Sequence, residues 1–419
     1  MNPQEILITV VLVLLLAKVG VEIFLSFLNQ KEVEKHRESP PEPLREVMDE
    51  KTYDKACRYT LAKSKFGIFG EVYGLVLLLV VLFSGVLPWF YTAVGGGADT
   101  TIWRESFFLI AVMMLLGIPS LPLEWYSQFR LEERFGFNKS SLGLWVTDKI
   151  KGLVIGLVLG VPLVTLLLFL VTWAGSTWWI WGFLLVFIFQ LVLMVVYPMW
   201  ILPWFNKLTP LPEGNLRDRL MALADRTGFK AQTIQVMDGS KRSGHSNAFF
   251  TGFGRFRRIV LFDTLVEQLE EDELESVLAH EIGHYKRGHI PKMLGLSSLM
   301  LLASFAVLAW LIETPVFVEA FGFDAENVGV GPAFLLFALL AGVFTFWLTP
   351  LFNILSRKHE YEADDFARKH AEGRDPMIRA LRKLSEKNLS NLTPHPLFSG
   401  FYYSHPTLLE RESSLGKEE

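Results

Sequence analysis

The sequence predicts a mainly α-helical integral-membrane protein with seven spans, plus soluble α+β parts that carry a metal site. Three observations predict it. Of 419 residues, 51% are hydrophobic and only 20% charged, too apolar for an ordinary soluble chain. Seven long apolar runs alternate with polar connections, each run long enough to cross a bilayer. Between the fifth and sixth runs lies His280-Glu281-Ile282-Gly283-His284, of the form H-E-x-x-H.

The first run, Ile6 to Phe27, is too long for a signal-peptide core and no Lys or Arg precedes it, so it reads as a retained span. Lys18 and Glu22 lie four apart within it. Charges at membrane depth usually pair or face a wet interior. After a polar segment broken by Pro40-Pro41-Glu42-Pro43, the second span runs from Phe66 to Tyr91, with Glu71 near its start. The third, Phe107 to Trp125, is interrupted by Pro119 and Pro122. The fourth and fifth, Gly152 to Trp173 and Trp178 to Pro198, flank an uncharged link where Trp173, Trp178, Trp179 and Trp181 form an interfacial belt. Met293 to Ile312 and Pro332 to Leu355 complete the seven.

The chain therefore divides into residues 1–199 with spans one to five, 200–291 as a soluble insertion, 292–355 with spans six and seven, and 356–419 as a soluble tail. Lys and Arg crowd every second connection and nearly vanish from the others. The positive-inside rule then places the N-terminus outside, and the insertion and C-terminus in the cytoplasm. A bacterial inner membrane and the endoplasmic reticulum fit equally.

Within the insertion, Leu216 to Gly228 reads as an amphipathic helix stopped by glycine. Thr233 to Met237, Asn247 to Phe253 and Arg257 to Phe262 read as short strands. A helix is expected from Asp272, as N-cap, to His289. On it, His280 and His284 share one face and can aim two imidazoles at a single ion. Zinc suits such ligands, and Glu281 is placed to take a proton from a zinc-bound water. Two surface histidines on a helix are the bland alternative.

Cys57 is the only cysteine. It excludes an intrachain disulfide framework and a cysteine-rich zinc site, so any zinc here is expected to have His and carboxylate ligands. A metzincin would need glycine at 287 and histidine at 290, where the chain has Arg287 and Ile290. His289 is read as a helix-end residue. The remaining candidate is a Glu just past the seventh span. Glu360 and Asp364 stand four apart, so Glu360 can ligate while Asp364 orients a ligand histidine. Glu362 points elsewhere on such a helix, and a solvated charged helix is the plain alternative. With 40 basic against 44 acidic residues and no long basic run, nucleic acid is not an expected partner.

Several stretches occur in a characteristic order. They are Glu132-Glu133-x-x-Gly136-Phe137-Asn138-Lys139, Phe205-Asn206-Lys207-Leu208-Thr209-Pro210-Leu211 and Asp238-Gly239-Ser240-Lys241-Arg242-Ser243-Gly244-His245-Ser246-Asn247-Ala248. The zinc helix continues as Tyr285-Lys286-x-Gly288-His289, and then come Ser356-Arg357-x-x-Glu360-Tyr361-x-Ala363-Asp364 and Tyr403-Ser404-His405-Pro406. Together these resemble the type I CaaX prenyl endopeptidases, seven-span membrane zinc metallopeptidases of the gluzincin type. The HtpX-type heat-shock membrane proteases share the zinc motifs but have fewer spans.

The resemblance implies one Zn2+ per chain, held by His280, His284 and Glu360, with Glu281 as general base. It implies that Asn247 and His405 touch substrate and steady the tetrahedral intermediate, and that Asn247, Ala248 and Phe249 lie at a substrate-binding edge strand. It implies a ring of seven helices around a water-filled chamber, which Lys18, Glu22 and Glu71 are candidates to face. The implied substrate is a prenylated peptide losing its last three residues. The chain is expected to work as a monomer in the bilayer. A quality-control protease of the same class is the alternative. From another class, a transporter or channel with a structural zinc is the competing reading.

Overall fold

The computed structural model describes residues 1–38, 40–229, 233–251 and 258–416. Among these, seven helical segments are long and apolar enough to cross a membrane: Pro3–His36, Glu50–Phe83, Ile102–Phe135, Leu142–Trp173, Gly175–Phe205, His289–Ile312 and Gly331–His370. The first two are single helices, α1 (Pro3–His36) and α2 (Glu50–Phe83). At 1.5 Å per residue each is about 50 Å long, well beyond a bilayer core of about 30 Å. Their surplus length reaches the soluble part. There Val33, Tyr53, Ala56 and Tyr59 pack with Leu131, Phe135, Leu389 and Leu392.

The third span is longer than its apolar run. It begins as α3 (Ile102–Gly117) and winds on through short helical pieces to Phe135. Pro119 and Pro122 do not end it, because each sits in the first turn of a new piece, where no backbone N–H is needed. The fourth and fifth spans are built on α4 (Leu142–Trp173) and α5 (Trp178–Val196).

The soluble part opens with β1 (Leu208–Pro210), followed by α6 (Asn215–Arg226), β2 (Thr233–Met237), β3 (Ala248–Thr251) and β4 (Arg258–Phe262). The sheet order is β1-β2-β4-β3, with β2 and β4 parallel and the outer pairs antiparallel. β4 is central, and Ile259, Val260 and Leu261 are all buried, as a strand covered on both faces requires. Among the described residues β3 is an edge strand. Residues 252, 253 and 257 of the expected strands lie outside the described residues. β1 was not expected, since three residues ending in proline give no alternation to read.

The H-E-x-x-H sequence lies on α7 (Glu271–Lys286). Its N-cap is Glu270, not Asp272. The Glu273 carboxylate reaches back to accept from the Glu270 N–H, a reciprocal cap that starts the helix earlier. α7 also stops before His289. Gly288 adopts φ +67, the left-handed turn that ends helices. His289 instead begins the sixth span, α8 (His289–Ile312). The seventh comprises α9 (Gly331–Thr345) and α10 (Thr349–His370). It does not stop near Leu355, because the change from apolar to charged residues at Ser356 alters the environment and not the helix. α11 (Asp375–Lys387) and α12 (Leu408–Leu415) close the fold.

Lys18 on α1 bonds Glu22 at 2.8 Å and Glu71 of α2 at 3.3 Å. Glu22 and Glu71 line a cavity of about 920 Å³ that extends to His405 and Arg411. A charged triad inside two apolar spans is thus paired, and its two carboxylates face open volume.

Candidate metal centre

α7 sinks Leu274, Leu278 and Ile282 into the core formed with Leu220, Leu223 and Ile259. Burying that face turns His280 and His284 toward α10. Their Nε2 atoms face each other at 3.1 Å. Glu360 Oε1 lies 3.2 Å from His284 Nε2, and Glu360 Oε2 lies 3.4 Å from His280 Nε2. Among the described residues Glu360 Oε2 is buried and makes no hydrogen bond; Arg411 Nη1 stands 3.9 Å off, too far to bond it, so a bound cation would supply the missing partner. Two imidazole nitrogens and one carboxylate, with ligand atoms within 4.8 Å of one another, fit zinc held by three protein groups with one position open.

Behind His280, Asp364 Oδ1 accepts from Nδ1 at 2.8 Å, leaving Nε2 free for a metal. Arg411 from α12 holds Asp364 with two bonds, Nε to Oδ2 at 2.8 Å and Nη2 to Oδ1 at 2.5 Å. Burial works against a cation on His280, but the hydrogen bond to Asp364 and the adjacent Glu360 carboxylate outweigh it and raise its pKa to about 9. The pocket therefore favours positive charge at this point. Burial also raises the Glu281 carboxyl above its usual range, against the pull of the neighbouring histidines. That shift moves it toward the range of a base working near neutral pH.

Close approach of α7 and α10 depends on Gly283. A Cβ there would meet Ala363 Cα and Phe366 Cβ at 3.0 Å. Alanine gains about 1 kcal/mol of helix propensity over glycine, but overpacking against backbone costs about 1–3 kcal/mol. Gly283→Ala is therefore expected to lower the melting temperature and weaken metal retention at this cluster together. Thermal unfolding with and without chelator checks this; an unchanged midpoint would show that the helices part freely.

Of the other expected site residues, His405 lies beside the cluster, its Nε2 3.4 Å from Glu360 Oε1. Asn247 is exposed just before β3, and its Oδ1 accepts from the Ala248 N–H at 2.9 Å. Ala248 and Phe249 lie on the edge strand itself. The residues leading into it are tied to the membrane part. Arg242 bonds Asp148 of α4 at 2.8 and 3.0 Å, Ser243 bridges Asn138, and the His245 ring stacks on Phe137 with centroids 3.9 Å apart. Sequence reasoning missed Arg411, which carries no local signal, and misread His289, which is buried with Nδ1 2.9 Å from His284 Nδ1.

Residues 29–207 match the CAAX prenyl protease N-terminal family, described as five membrane helices, and residues 210–419 match peptidase family M48. The chain belongs to peptidase family M48. This M48 chain is 39% identical over 94% of its length to CAAX prenyl protease 1 of Saccharomyces cerevisiae, of which 92% is covered. It is 32% identical to the Homo sapiens CAAX prenyl protease 1 homolog, over 92% of its own length and 90% of the relative. The crystal structure of S. mikatae Ste24p matches it with a TM-score of 0.92 and 34% identity, covering 100% of both chains. The M48 chain is an integral, multi-pass membrane metallopeptidase.

Proposed function

We propose that this M48 chain is a zinc endopeptidase that removes the last three residues of a peptide after a prenylated cysteine. The convergence of His280, His284 and Glu360, backed by Asp364 and Arg411, carries the zinc reading. The relatives named CAAX prenyl protease carry the substrate reading. Zinc bound by these three residues would supply a polarised water and a Lewis acid for the scissile carbonyl. The Glu281 carboxylate accepts a proton from the attacking water and returns it to the leaving amine. The peptide lies extended along β3, pairing with backbone groups of Asn247, Ala248 and Phe249. Asn247 and His405 donate hydrogen bonds to the developing oxyanion. Residues 200–291 and 356–419 form the protease part together, facing the cytoplasm with the N-terminus outside, and the chain acts as a monomer.

Full-length protein in detergent should release the last three residues of a farnesylated CaaX peptide and leave the same peptide without lipid largely uncut. Cutting of both peptides at scattered sites would favour a quality-control protease. Stoichiometric zinc with no cleavage of either would overturn the substrate reading.

A further inference from the structure

His289 stands outside the candidate ligand set, yet it is only 3% exposed. The left-handed turn at Gly288 folds the chain back so that the first residue of α8 sits behind the last turn of α7. His289 Nδ1 lies 2.9 Å from His284 Nδ1, and His289 Nε2 lies 3.0 Å from Glu362 Oε2. On its face the ring stacks against His359, with centroids 4.0 Å and planes 11° apart.

These contacts dictate where the protons sit. An ionised carboxylate only accepts, so His289 Nε2 carries a hydrogen and donates it to Glu362. In a neutral ring the other nitrogen is then an acceptor, so His284 donates from Nδ1 to His289 Nδ1. A neutral His284 protonated at Nδ1 presents a bare Nε2 lone pair, and Nε2 is the atom that faces His280 and Glu360.

We propose that His289 and Glu362 are positioning residues that fix the tautomer and ring plane of His284 for metal binding. The proposal rests on the reading of His280, His284 and Glu360 as zinc ligands. It makes the two histidines unequal. His280 leans directly on a carboxylate, whereas His284 reaches its carboxylate through a second imidazole. Stacking on His359 keeps that intervening ring from turning away. Glu362 sits at the rim, with its side chain 32% exposed, so it can be replaced without opening a cavity.

The test uses the full chain in detergent, titrated with a zinc-buffering chelator, for wild type, His284→Ala, His289→Ala, Glu362→Ala and Glu362→Gln. Loss of such an outer partner costs roughly 10–100-fold in metal affinity, which is the fall expected for His289→Ala and Glu362→Ala. Glu362→Gln keeps an oxygen acceptor and should stay closer to wild type. The metal-free melting temperature of Glu362→Ala should match wild type, which a packing role would not allow. Wild-type zinc affinity in Glu362→Ala, beside zinc loss in His284→Ala, would overturn the relay and leave the ligand assignment standing. Full zinc binding by His284→Ala would overturn the ligand assignment itself. A parallel fall in zinc affinity and metal-free melting in Glu362→Ala would overturn positioning in favour of packing.

Discussion

Glu281→Gln is expected to cut turnover by roughly 10²–10⁴-fold, the usual worth of a positioned acid–base group, or about 3–5 kcal/mol of barrier. Glutamine has nearly the same shape but cannot hold the water's proton. The environment of Glu281 fits the role, because burial raises its carboxyl above the usual range and so strengthens it as a base. Glu281 is outside the cluster of His280, His284 and Glu360, so zinc content should remain that of wild type. Single-turnover cleavage beside metal analysis makes the check. Wild-type cleavage by the variant would remove Glu281 from the chemistry, whereas joint loss of zinc and activity would move it into the ligand set.

Asp364→Ala is expected to be the most damaging single change to the fold near the site. It removes the acceptor of His280 Nδ1 and both oxygens that bond Arg411, leaving a guanidinium at 9% exposure with no hydrogen-bonded counter-charge, its nearest carboxylate being Glu360 at 3.9 Å. Breaking one half of a buried charge pair costs about 3–5 kcal/mol. Zinc affinity should fall as well, by roughly 10–100-fold. A second change separates these effects. Arg411→Met added to Asp364→Ala removes the stranded charge, and apolar replacement of a buried pair is often close to neutral. The double variant should regain most of the melting temperature but not the zinc affinity, since His280 still lacks its orienting carboxylate. Recovery of both would show that Arg411, not the Nδ1 bond, was the point of failure.

The parts of this centre that sequence reasoning reached are those with short-range geometry. His280 and His284 share a face because they are four apart, and Glu360 and Asp364 do so for the same reason. The seven spans follow from apolar length alone. Arg411 lay beyond reach because its partner is 47 positions away and nothing in α12 marks one arginine over another. His289 was misread because the turn at Gly288 ends one helix and starts another within two residues, so the position after a helix end became a buried position behind the site. Glu362 was correctly placed off the Glu360 face, yet that other face meets His289. The third span outran its apolar run because its prolines fall at starts of helical pieces, a register visible only once the backbone is built.

The candidate ligands come from the two sides of a membrane hairpin. His280 and His284 precede α8, and Glu360 follows α9 on α10. If one of those two crossings failed to insert, Glu360 would finish on the opposite side of the bilayer from the histidines, and no metal could be shared. Misinserted copies of the enzyme would therefore be inert and not stray proteases. The competence to cut is a readout of correct topogenesis, and no soluble fragment cut from either side of the hairpin would inherit it.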